Sequence, residues 1–110
     1  MSEDVKMCVD AGACRFKTTI VASMQDDGSV RLEIESGCPQ VKRMAETLPE
    51  IDPMDAASKR MLENPVIISA SENLSHPSCP IPCAILKAVE VASGLALEKD
   101  PTLHYCSPSP

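Results

Sequence analysis

The strongest constraint on the fold is the stretch from Arg15 to Glu35, RFKTTIVASMQDDGSVRLEIE. Val30, Leu32 and Ile34 alternate with Arg31, Glu33 and Glu35, the period of two expected of a strand with one face buried and one in water. Ahead of it, Phe16, Ile20, Ala22 and Met24 form the apolar side of a second run. Asp26-Asp27-Gly28 between the two is a turn signal. The stretch therefore predicts a β-hairpin, and a hairpin with one apolar face needs a second layer to cover it. Val5 to Val9, VKMCV, reads as a further short strand with Val5, Met7 and Val9 on one side. It joins the hairpin through the loop DAGAC, where Gly12 opens backbone angles that other residues avoid.

The covering layer is written downstream. Pro39 suits the first position of a helix whose apolar face is Val41, Met44, Ala45 and Leu48, with Pro49 as the stop. Asp52-Pro53 is a second helix start, with Met54, Ala57, Met61 and Leu62 as the stripe and Asn64-Pro65 as the end. Val66 to Ser69 reads as a strand or a buried connection, and residues 70–78 as a loop. Ser78 is placed to cap a third helix with core face Ile81, Ile85, Ala88, Val89 and Ala92, ended by Gly94. Thr102 to Cys106 reads as a last strand and residues 107–110 as a disordered tail. The expected architecture is one α+β domain over residues 1–106. An antiparallel sheet led by the hairpin carries about three helices on one face.

Composition narrows the function. The 110 residues suit one domain, and with no Trp, one Phe and one Tyr the core must be aliphatic and Met-rich. A net charge of −6 argues against nucleic acid and against an anionic membrane surface as partners. No apolar run approaches the ~20 residues of a membrane span. The opening MSEDVKMCVDAG is acidic where a signal peptide would be basic, so a cytoplasmic location is expected. Six cysteines in a reducing compartment turn attention from disulfides to metal ligation or thiol chemistry.

Three of these cysteines share a position type. Cys14 lies in the loop entering the hairpin, Cys38 where its second strand gives way to a helix, and Cys79 at the start of another helix. A hairpin brings its open ends together, so Cys14 and Cys38 are expected at one end of the sheet. Cys79 joins them if its helix begins at that end. Thiolates are the metal-binding species, and helix N-termini favour them. Cys83, in a C-x3-C spacing with Cys79, is the expected fourth ligand, with His76 as the alternative. Blander roles also fit: Cys83 as a core residue, His76 as a solvated side chain, Cys8 as core packing in its strand, and Cys106 and His104 as surface residues.

These residues carry three resemblances. The order of Cys14, Gly37-Cys38 and Cys79 around a hairpin turn resembles the iron–sulfur scaffold family of the NifU/IscU type. That family has an Asp two residues after its first cysteine and a His before its third, where this chain has Phe16 and Ser78. Gly12-Ala13-Cys14, Gly37-Cys38 and Ser78-Cys79-Pro80 are also similar to the small TSCPD-domain proteins, with Ile81 in place of the following acid. Over roughly Val9 to Leu97 the chain resembles a family of small uncharacterised proteins with GAC-x-F and CP-x-P-x-AILKAVEVA segments. The first resemblance implies Cys14, Cys38 and Cys79 as cluster or zinc ligands.

The expectation is a metal-binding module holding zinc or an iron–sulfur cluster on Cys14, Cys38, Cys79 and Cys83. It would serve as a scaffold, carrier or accessory protein rather than an enzyme, with another protein as partner and a homodimer possible through the hairpin edge. Two alternatives stand beside it: a thiol redox protein using Cys79 and Cys83, and a structural or interaction domain without metal.

Overall fold

The hairpin forms as its alternation requires. In the computed structural model, which describes residues 4–106, β1 (Val5–Asp10), β2 (Lys17–Met24) and β3 (Val30–Ser36) are joined by β4 (Glu50–Ile51). The sheet is antiparallel throughout, in the order β1-β2-β3-β4. Its register lines up Val5 with Ala22 and Leu32, and Met7 with Ile20 and Ile34, on one face. At the hairpin tip, Gly28 takes a positive φ of 91°, the backbone state that the turn requires and glycine adopts freely. Asp27 braces that tip, its carboxylate accepting from the Ser29 hydroxyl at 2.7 Å and the Ser29 N–H at 2.9 Å. These two bonds hold the Asp27 carboxyl below the ordinary aspartate range, the hydroxyl contributing most.

Among the described residues four helices follow, α1 (Pro39–Glu46), α2 (Pro53–Ser58), α3 (Pro65–Asn73) and α4 (Ile81–Ala92), with a 3-10 turn at Met61–Glu63. α1 packs on β3, and α4 on β1 and β2, so the apolar face of the sheet is covered. The α+β expectation holds. The core is aliphatic, with Ile20, Met44, Ile81 and Ile85 the largest fully buried side chains, each contributing about 1.5–3 kcal/mol by burial. The expected α4 face, Ile81, Ile85, Ala88, Val89 and Ala92, is buried in full. Gly94 ends that helix at φ 80°, with Gly94 N–H bonding Val91 O and Leu95 N–H bonding Glu90 O.

Several expectations are corrected. Val66 to Ser69 lies inside α3, neither strand nor connection, and the helix runs on through Asn73. Asn64-Pro65 starts that helix instead of ending the previous one: the Asn64 side chain accepts from Val66 N–H at 3.1 Å and donates to Ala56 O at 2.9 Å. The α2 stripe is on the wrong side. Within the helix Pro53 and Ala56 are buried, whereas Met54 and Ala57 are exposed; Met61 and Leu62 are exposed too, beyond the end of the helix at Ser58, where helical periodicity no longer applies. Ser78 is not a cap; Pro80 holds that position without a side-chain bond. Cys8 is exposed, out of phase with Val5, Met7 and Val9 on β1. Phe16 and Met24, expected on the apolar side at the two ends of this run, are each more than a third exposed. Thr102 to Cys106 forms no strand and is exposed. The expected tail at 107–110 lies outside the described residues. Among the described residues no helix is long and apolar enough to cross a membrane.

Candidate functional site

Three loops and helix starts converge beside α1 and α4. The β1–β2 loop is folded by local bonds: the Asp10 carboxylate accepts from Gly12 N–H at 3.0 Å, and Arg15 N–H donates to Gly12 O at 2.8 Å. Gly12 and Arg15 both take positive φ, 88° and 66°, the second being unusual for a residue with a side chain. Between them sits Cys14, exposed.

Cys38 is the residue at which β3 turns into α1. Its backbone is extended, Pro39 supplies the first helical position, and its N–H donates to Ser36 Oγ at 3.1 Å. Ser36 is itself held by the Thr18 hydroxyl at 2.7 Å. Cys79 lies two residues before α4, in a turn closed by its N–H donating to His76 O at 3.1 Å. Both Cys38 and Cys79 are half-buried and pack against the core. Gly37 is in close quarters with Phe16: a Cβ there would stand 3.1 Å from the ring, so the aromatic lies close against the Gly37 backbone and would have to shift slightly for a larger residue.

Together these segments enclose a cavity of about 560 Å³, with Cys14, Cys38 and Cys79 all in its wall. Phe16, Leu74 and Ile81 make much of the rest apolar, while Arg43 and His76 bring its nitrogen groups. No carboxylate lines it, and among the described residues Arg43 makes no ion pair. The sequence reading brought the three thiols to one place but missed the brace beside them. Ser75 N–H donates to Gln40 Oε1 at 3.0 Å and Gln40 Nε2 donates to Ser75 Oγ at 2.9 Å. That pair ties the first turn of α1 to the segment leading to Cys79, and a separation of 35 residues leaves no local signal of it.

Cys83 is placed differently. It is exposed on α4 and does not line the cavity. The four-residue spacing from Cys79 is not a helical one, because α4 begins only at Ile81. His76 does line the cavity. Cys8 and Cys106 are exposed away from it. Among the described residues, no three His, Cys, Asp or Glu side chains stand close enough together to grip one metal ion. The thiols share a chamber rather than a ready-made ion site.

A family of unknown function (DUF6951) matches residues 5–105, and the chain belongs to it. That agrees with the resemblance to small uncharacterised proteins; the comparisons add no support for the NifU/IscU-type or TSCPD resemblances. No curated protein and no solved structure matches.

Proposed function

For this member of a family of unknown function, we propose the role of a small soft-metal module, with Cys14, Cys38 and Cys79 as ligands and a scaffold, carrier or accessory task. The observation that carries the proposal is that three thiols, delivered by three separate elements, line one largely apolar cavity. Thiolates select zinc or iron–sulfur clusters over hard cations. A single zinc ion needs four donors within about 2.0–2.3 Å of one point, and no such convergence exists among the described residues. A cluster spreads its thiolates over several irons and so asks less convergence of them, which favours an iron–sulfur cluster. His76, on the cavity wall, is a better placed fourth donor than Cys83. Such a centre belongs in a reducing setting such as the cytoplasm.

The test is metal and sulfide analysis, with an absorption spectrum, on protein purified without oxygen and on apoprotein reconstituted with ferrous iron and sulfide or with zinc. About one centre per chain is expected, lost on Cys14→Ser, Cys38→Ser or Cys79→Ser and kept on Cys8→Ser, Cys83→Ser or Cys106→Ser. Normal content in the first three variants overturns the proposal. The thiol redox reading with Cys79 and Cys83 has less behind it, since one thiol lines the cavity and the other does not.

A further inference from the structure

The metal reading employs the thiols of the cavity and leaves much of its wall without a task. Phe16, Leu74 and Ile81 offer hydrocarbon that thiolate ligation does not use, and Arg43 stands in the same wall. Arg43 is open to solvent and, among the described residues, makes no ion pair. No carboxylate lines the cavity; Asp10, next in sequence to the lining residue Ala11, accepts from the Gly12 N–H instead. The volume of about 560 Å³ lies inside the range of small-molecule sites, about 300–1,000 Å³. Such sites are mostly apolar, with a few polar groups that fix the ligand's orientation.

The backbone adds the same sign of charge. α1 and α4 both begin at this wall, through Pro39, Gln40 and Val41 and through Pro80 and Ile81. Neither start has a side-chain cap or an acidic residue in its first turn. The two starts away from the cavity are capped, α2 by Asp52 and α3 by Asn64. Uncapped first turns carry partial positive charge and favour an anion nearby, which reinforces Arg43.

We infer that the cavity binds a small amphipathic carboxylate, its headgroup on Arg43 and its hydrocarbon body against Phe16, Leu74 and Ile81. A guanidinium presents paired N–H donors that match the two oxygens of a carboxylate. A wall with a cation and no acid selects an anion over a cation. Its apolar remainder selects a ligand with a hydrocarbon body over an inorganic anion, because burying that body is favourable only where apolar groups receive it. The inference goes beyond the metal reading and does not rest on it, since no thiolate takes part.

The experiment uses full-length, reduced, chelator-treated protein, so that it and the metal reading fail separately. Octanoate is titrated by calorimetry beside octanamide, its neutral counterpart, and acetate, its headgroup alone. Octanoate is expected to bind at a single site about tenfold or more tighter than either, the ratio that a charge-assisted hydrogen bond supplies. Arg43→Gln should bring octanoate to the level of octanamide and leave octanamide unchanged, which separates a lost headgroup contact from a damaged cavity. Phe16→Ala should weaken both octyl ligands alike. In nitrogen-15 spectra the shifts on adding octanoate should centre on Gln40, Arg43 and Leu74. Octanoate no tighter than octanamide overturns the inference, as does an Arg43→Gln protein that binds octanoate as the native chain does. Shifts centred on the exposed Met54, Met61 and Leu62 overturn it equally.

Discussion

Two apolar regions on the body of this molecule, one concave and one convex, differ in kind. Around the cavity, Phe16, Leu74 and Ile81 line a wall between elements braced by the Gln40–Ser75 and Thr18–Ser36 bonds, and among the described residues Arg43 makes no ion pair. Around α2 and the 3-10 turn, Met54, Met61 and Leu62 project outward, and the neighbouring charges pair with one another. The first arrangement is a receptacle with chemistry left over. The second is a surface whose charges are already spoken for. Apolar exposure alone therefore says little; concavity, bracing and unspent charge distinguish a site from a patch.

The comparison breaks most visibly in stability. Ile81 is 1% exposed in the cavity wall, so Ile81→Ala is expected to cost about 2–5 kcal/mol in urea unfolding, while Leu62→Ala, at 91% exposed, should stay within about 0.5 kcal/mol. A comparable loss at Leu62 would mean that the patch is covered in solution. Next in size is Asn64→Ala. It removes a buried cap of α3 and a bond to Ala56 O, the tie between α2 and α3, and about 1–3 kcal/mol is expected. The effect should exceed that of Asp52→Ala, whose cap on Met54 N–H is exposed.

The smallest effect belongs to the hairpin tip, outside both regions. The Asp27 carboxyl is held below its ordinary range in the folded chain by Ser29, so folding favours its ionised form. That contribution is present at neutral pH and fades as pH falls through the folded-state value. The stability difference between the native chain and Asp27→Asn should accordingly be small at pH 7 and shrink in acid. A gap that widens in acid contradicts the assignment.

How far the fold could be read from sequence follows the same division. β3 and α4 were legible because periodicity of two and of about 3.6 runs through them, with Gly28 at the turn before β3 and Gly94 at the end of α4. α3 was not, because Asn64-Pro65 is ambiguous by itself: a cap and a stop look alike until the Asn64 side chain is seen bonding Val66 N–H. The α2 stripe failed inside the helix, where Pro53 and Ala56 are buried in place of Met54 and Ala57, and again where periodicity was carried past Ser58. For the site, the hairpin topology was enough to bring Cys14 to Cys38, and the direction of α4 added Cys79. Cys83 was carried along by counting residues through a turn that is not helical. Arg43, Leu74 and the Gln40–Ser75 brace were invisible, being products of tertiary packing between distant segments.

Cys14, Cys38 and Cys79 are proposed to act on one centre, which makes their joint reactivity decisive. It is tested most directly by alkylating native protein, with and without its reconstituted centre, and reading each cysteine by peptide mass spectrometry. Loading is expected to protect Cys14, Cys38 and Cys79 together while Cys8, Cys83 and Cys106 stay reactive. Protection of Cys83 with loss of any one of the three, or equal reactivity of all six in loaded protein, would contradict it.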